Sequence, residues 1–267
     1  MHGFTRRRVP GAPGRARRLG HMYASLSQPS LKAALWDMDG TLVDTEPYWI
    51  AAEHDLVEAH GGSWSHEQAM QLVGQSLMHS AGILQDAGVR LEKREIIDTL
   101  SARVIERIKE DVPWRPGARE LLDELHGAGV RCALVTMSEG PLAREVVAAL
   151  PKPYFEFLVT GDTVSQGKPH PEAYLTAVER LRLSDPELTI DHCVAFEDSV
   201  PGVAAALASG VVTVGIPHQV PLPDDIRRTT WSTLAGRTVA ELEQLVLDRA
   251  RAASGVAAAG VLLEGAN

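Results

Sequence analysis

Between residues 118 and 216, short apolar runs alternate four times with segments of helical periodicity. Residues 118–126 read as helix and 131–135 as strand, then 142–150 as helix and 155–159 as strand. The pattern repeats with 171–183 and 192–196, and again with 200–209 and 211–216. Strands alternating with helices of this length require right-handed βαβ crossovers and a parallel sheet. One earlier apolar run, from Leu31 to Trp36, ends at Asp37 and reads as a further buried strand. The expected fold class is α/β.

A helical block interrupts this pattern after the first strand. Ile96, Ile97, Leu100, Val104 and Ile108 follow helical spacing and make one apolar stripe. Residues 48–60 read as another helix, with Thr45 as its N-cap and Pro47 in its first turn. No strand is read between 46 and 112, so this block is expected as an insertion, with 112–117 as the return linker. The expected core is 31–45 with 113–249. The Ala/Gly-rich stretch 250–267 is expected to fray as a flexible tail.

The chain has 267 residues, 45% of them hydrophobic, enough for a real core. No apolar run is long enough to cross a bilayer. Cys132 and Cys193 lie in apolar stretches and are expected as reduced, buried thiols of a cytoplasmic protein. The net charge is -9, yet residues 1–30 hold Arg6, Arg7, Arg8, Arg15, Arg17 and Arg18 and no acid. That segment is expected as a disordered basic tail. It lacks the apolar middle of a secretory signal. The rest of the chain is more acidic than the total, which disfavours nucleic acid as a partner and calls for local cations around any phosphate.

Chemistry concentrates at the strand ends. Asp37-Met38-Asp39-Gly40-Thr41-Leu42 follows the first strand directly. Ligands of such sheets bind beyond the carboxyl ends of the strands, and paired carboxylates suit a hard, octahedral Mg²⁺. Val194-Ala195-Phe196-Glu197-Asp198-Ser199 puts a second acidic pair at another strand end. Taken alone, Asp198 and Ser199 read equally well as a helix N-cap. Converging carboxylates would repel one another, and a divalent cation removes that conflict. Thr136 ends a third strand, where a hydroxyl can hold a phosphate oxygen, and Ser138 reads as the N-cap of the next helix. Lys168 sits in the stiff loop Gly167-Lys168-Pro169-His170-Pro171, suited to neutralising a phosphoryl charge. A nucleotide P-loop over 161–168 is rejected, because its spacing is one residue too long and Pro169 replaces the Ser/Thr.

The four segments, in this order, resemble the four motifs of the haloacid dehalogenase (HAD) superfamily: residues 37–45, Thr136, Lys168, and Glu197-Asp198 within a Glu-Asp-Ser-x-x-Gly stretch ending at Gly202. The resemblance covers roughly 31–216 and is closest to the β-phosphoglucomutase and phosphoglycolate-phosphatase branch. It implies a Rossmann-like core with an inserted α-helical cap domain at 46–112. It also implies a Mg²⁺-dependent phosphatase of a small phosphorylated metabolite, with Asp37 as nucleophile and Asp39 as acid and base. Asp37, Asp39, Asp198 and Glu197 would serve the metal, and Thr136, Met137 and Lys168 the phosphate. Gln75 and Ser76 resemble the specificity loop of the cap, and Trp49 would line the same cleft.

Two alternatives stay open. A mutase would carry a His where this chain has Trp49, and an Arg after Gly74-Gln75-Ser76, where Leu77-Met78 follow. A catalytically idle binding protein would not need all four motif positions filled. A monomer is expected, with no membrane partner.

Overall fold

The computed structural model describes the backbone of residues 30–264 and the side chains of residues 30–254. The basic segment read at 1–30 thus lies outside the described residues, apart from Ser30.

Five strands follow the expected pattern: β1 (Ala33–Trp36), β2 (Arg131–Val135), β3 (Phe155–Val159), β4 (Cys193–Glu197) and β5 (Val212–Gly215). A sixth, β6 (Arg228–Thr230), was not expected; it is short, polar and only partly buried, so it lacks an apolar run. All pairs are parallel and the order is β3-β2-β1-β4-β5-β6. This is the doubly wound order, in which the chain reverses direction beside β1.

Every residue of β1 and β4 is buried, as expected where helices cover both sheet faces. Ala34, Trp36, Val194 and Phe196 point to one side, where Trp36 and Phe196 stack at 4.4 Å. Ala33, Leu35, Cys193 and Ala195 point to the other. Helices α5 (Ala118–Gly127) and α6 (Gly140–Ala148) cover the first face, and α7 (Glu172–Arg182) and α8 (Val200–Ser209) the second. Both cysteines are free and buried.

Four helices form the insertion: α1 (Glu46–Ala59), α2 (His66–Met70), α3 (Leu77–Asp86) and α4 (Lys93–Glu110). The stripe on α4 is buried as its spacing predicts. Burial of such side chains stabilises by about 1.5–3 kcal/mol each. Thr45 occupies the N-cap position of α1 but makes no capping hydrogen bond. The two connections to the insertion are zipped together. Val43 and Trp114 form an antiparallel bridge, Asp44 N donates to Pro113 O (2.7 Å), and Arg115 N donates to Leu42 O (3.0 Å).

Helix α9 (Val239–Glu264) continues into the Ala-rich stretch as far as residue 264, and alanine is the strongest helix former. One expectation needs correction. Ser138 does not cap α6, whose N-cap position is Glu139. Its hydroxyl is committed elsewhere, as described next.

Candidate active site

The register of the sheet sets two acids side by side. Trp36 pairs with Phe196, so Asp37 and Glu197 leave adjacent strands at the same level, with Asp37 N donating to Phe196 O at 3.1 Å. Asp37, Glu197 and Asp198 are all buried, and each offers a carboxylate oxygen within 4.8 Å of the others. Gly40, with φ of 83°, lets the chain turn back beneath Asp198; a Cβ there would overlap that carboxylate. Thr41 Oγ1 donates to Asp198 Oδ1 at 3.3 Å.

Lys168 is the cation at the centre of this cluster. Its Nζ lies 2.6 Å from Asp37 Oδ1, 2.6 Å from Glu197 Oε1 and 2.9 Å from Val135 O. The ammonium also sits 5.2 Å from the Tyr174 ring centroid, and the Tyr174 hydroxyl donates to Glu197 Oε1. Burial pushes the ammonium down, but Asp37 and Glu197 outweigh it and hold Lys168 above its ordinary value. Glu197 is therefore anchored between Lys168 and Tyr174. Gly202 makes room for it: a Cβ at that position would overlap the Glu197 carboxylate.

The charges do not balance. Burial pushes Asp37 up to about 8, against the pull of Lys168. Burial, followed by Asp37 and Glu197, holds Asp198 well above the usual carboxylate range. Three buried carboxylates and one ammonium leave an excess of negative charge on hard oxygen donors. That donor set fits a hard divalent cation such as Mg²⁺.

Asp39 projects into the same cleft under four donors. Thr45 Oγ1 (2.5 Å) and Trp49 Nε1 (3.3 Å) bond Oδ1, while Ser138 Oγ (2.7 Å) and Thr136 Oγ1 (3.3 Å) bond Oδ2. Thr45 and Ser138, each read as a helix cap, are instead the two closest partners of Asp39. Met137 lines the cleft, and its sulfur accepts from Lys168 N at 3.2 Å.

The insertion closes the cleft from above. Glu46, Trp49 and Glu53 share one face of α1, at spacing i, i+3, i+7, and all three line the cleft with Gln75. Ser76 caps α3, accepting from His79 N at 3.3 Å, and is not among the cleft-lining residues. Glu46, Glu53, Ser138 and Tyr174 were not singled out from the sequence for this site. Only the acids carry a visible signal, two carboxylates on an otherwise apolar helix face.

The sequence pattern of the haloacid dehalogenase-like hydrolases matches residues 31–210. The phosphorylated carbohydrates phosphatase of Thermotoga maritima is 32% identical over 196 residues, covering 71% of this chain and 87% of that protein. Hexitol phosphatase A of Escherichia coli K12 is 33% identical over 209 residues, covering 73% and 88%. Among solved structures, β-phosphoglucomutase of Clostridium difficile superposes with a TM-score of 0.69 at 19% identity, over 82% of this chain and 98% of its own, a likeness of fold alone. The resemblance read from the four motifs is thereby established, and the chain belongs to the haloacid dehalogenase-like hydrolase family.

Proposed function

We propose that the protein is a magnesium-dependent phosphatase that hydrolyses a small phosphate monoester through an aspartyl-phosphate on Asp37. The observation that carries this reading is the convergence of Asp37, Glu197 and Asp198 around Lys168, with Asp37 and Lys168 facing the cleft. The printed names of the two relatives, a phosphorylated carbohydrates phosphatase and a hexitol phosphatase, support it.

In this mechanism an Asp37 oxygen attacks phosphorus in line as the bond to the leaving oxygen breaks. Asp39 gives that oxygen its proton. Asp39 then takes a proton from water, which attacks phosphorus, frees inorganic phosphate and regenerates the Asp37 carboxylate. Lys168, Thr136 and the backbone at Met137 hold the equatorial oxygens of the transferring group. Asp37, Asp198 and the Asp39 carbonyl would hold Mg²⁺, with Glu197 beside them. The ion would neutralise charge on the phosphoryl oxygens and relieve the repulsion among the acids. Helices α1–α4 act as the cap, and Arg94 of α4 pairs with Glu139 of the core at 2.7 and 2.9 Å, an exposed contact between the two. Trp49 carries only an N–H donor, so it cannot replace the mutase His as an acid or base. The protein is taken to act as a cytoplasmic monomer. Among the described residues, no helix is long and apolar enough to cross a membrane.

The test is phosphate release from p-nitrophenyl phosphate with Mg²⁺ and with EDTA. Release that requires the metal and vanishes in Asp37→Asn supports the reading. Undiminished release by Asp37→Asn would overturn it.

A further inference from the structure

The cleft has two ends of different character. At the nucleophile end, Lys168 faces Asp37. At the cap end, no lysine, arginine or histidine lines the wall among the described residues. That end instead presents Glu46 and Glu53, set among Leu72, Leu77, Ile97 and Leu100.

Both glutamates are buried, at 8% and 5% exposure, and neither is paired with a cation among the described residues. Seven residues of α1 separate them, a rise of about 10 Å along the helix. Glu46 stands near the reacting acids and Glu53 two turns away. One oxygen of Glu53 accepts from Trp64 Nε1 at 3.2 Å, and the other has no hydrogen-bond partner among the described residues. That oxygen is not fully shut off from the cleft, so a hydroxyl of a bound ligand can take the place of water on it.

We propose that Glu53 determines leaving-group specificity by accepting a hydrogen bond from the distal hydroxyls of an uncharged polyol; this rests on the phosphatase reading above. Carboxylates of this kind bind sugar-type hydroxyls, while the flanking leucines and isoleucine suit the C–H faces of the same carbon chain. A leaving group bearing a carboxylate or a second phosphate would find no cation at that end to pair with. Burial pushes Glu46 up to about 8 and Glu53 up to about 7, and a carboxyl oxygen accepts from a hydroxyl in either protonation state. The inferred substrate is therefore the monophosphate of a neutral, multiply hydroxylated alcohol.

A second role for Glu53, as a strut for Trp64 alone, makes a different forecast. The deciding experiment measures kcat/KM on sorbitol 6-phosphate, fructose 1,6-bisphosphate, phosphoglycolate and p-nitrophenyl phosphate. For the unaltered protein, sorbitol 6-phosphate is expected to exceed the bisphosphate and phosphoglycolate by about tenfold or more. Glu53→Leu should lower kcat/KM on sorbitol 6-phosphate by about tenfold, and leave p-nitrophenyl phosphate, which has no aliphatic hydroxyl, within about threefold. Glu53→Gln, which keeps an acceptor of the same size, should recover most of the loss. A preference of the unaltered protein for phosphoglycolate or the bisphosphate would overturn the inference alone, even if Glu53→Leu fails to fold. So would an equal loss on sorbitol 6-phosphate and p-nitrophenyl phosphate. No release from any ester would overturn the phosphatase reading and this inference together.

Discussion

The Lys168 ammonium and the Glu197 carboxylate meet at 2.6 Å, with side-chain exposures of 2% and 0%. Neither can find water if the other is lost. Removing one partner of such a buried pair typically costs about 3–5 kcal/mol. Lys168→Met should therefore lower thermal stability markedly and reduce phosphate release by about 10²–10³-fold. Thermal melting and a phosphate assay check the two effects. Added Mg²⁺ should restore part of the stability and little of the activity.

Gly202 provides a sharper contrast. In an ordinary helix interior, Gly→Ala stabilises by up to about 1 kcal/mol. Here a Cβ would occupy the space of the Glu197 carboxylate. Gly202→Ala is expected to destabilise instead, and to cut activity by displacing the partner of Lys168. A melting temperature equal to or above that of the unaltered protein would contradict the geometry.

Ser138→Ala removes the 2.7 Å donor to Asp39 and leaves Thr45, Trp49 and Thr136 in place. A single hydrogen bond of this kind contributes about 0.5–1.5 kcal/mol. The expected outcome is a fall in kcat of about tenfold, with a drop in melting temperature of a few degrees. Asp39→Ala, by comparison, should cripple both formation and decay of the intermediate in a quenched-flow measurement.

The buried acids also set a pH dependence for the metal-free protein. Burial raises Glu53 from 4.5 to about 7, and raises Glu46 from 4.5 to about 8 with further help from Asp39. A raised folded-state pKa means that the folded form holds the proton more tightly. The associated stability is complete below about 4.5 and is lost as pH rises through 7 and 8. Melting temperature in EDTA should fall between about pH 4.5 and pH 8, and Glu53→Gln should flatten that slope below about pH 7.

Mg²⁺ should raise the melting temperature at neutral pH. Binding at a hundred times the dissociation constant stabilises by about 2.7 kcal/mol. Asp198→Asn removes one of the three clustered carboxylates, so it should abolish most of that gain, read by melting in Mg²⁺ against EDTA.

Much of this was legible in the sequence. The strands at 131–135 and 155–159 and the helix at 200–209 occupy the residues that periodicity assigned to them. Asp37, Thr136, Lys168, Glu197 and Asp198 come together because parallel strands deliver their carboxyl ends to one edge. Local pattern misled where a side chain had two possible uses. Thr45 and Ser138 carry the chemistry of helix caps, and only the tertiary arrangement directs their hydroxyls to Asp39. Tyr174 is a buried aromatic within helix α7 whose hydroxyl reaches Glu197, a contact with no local signal in the sequence. The strand β6 escaped because an edge strand has no need of an apolar run.

The seam formed by Val43 and Trp114, with the flanking bonds from Asp44 and Arg115, joins the two chain segments that lead into and out of the helical insertion. Beyond that seam Thr45 and Trp49 still reach back to Asp39, so a replacement insertion keeps the geometry of the acids only where it keeps those two donors. Exchanging α1–α4 between relatives that carry both donors, cut at these paired residues, would replace the far wall of the cleft and spare the acids at the sheet edge.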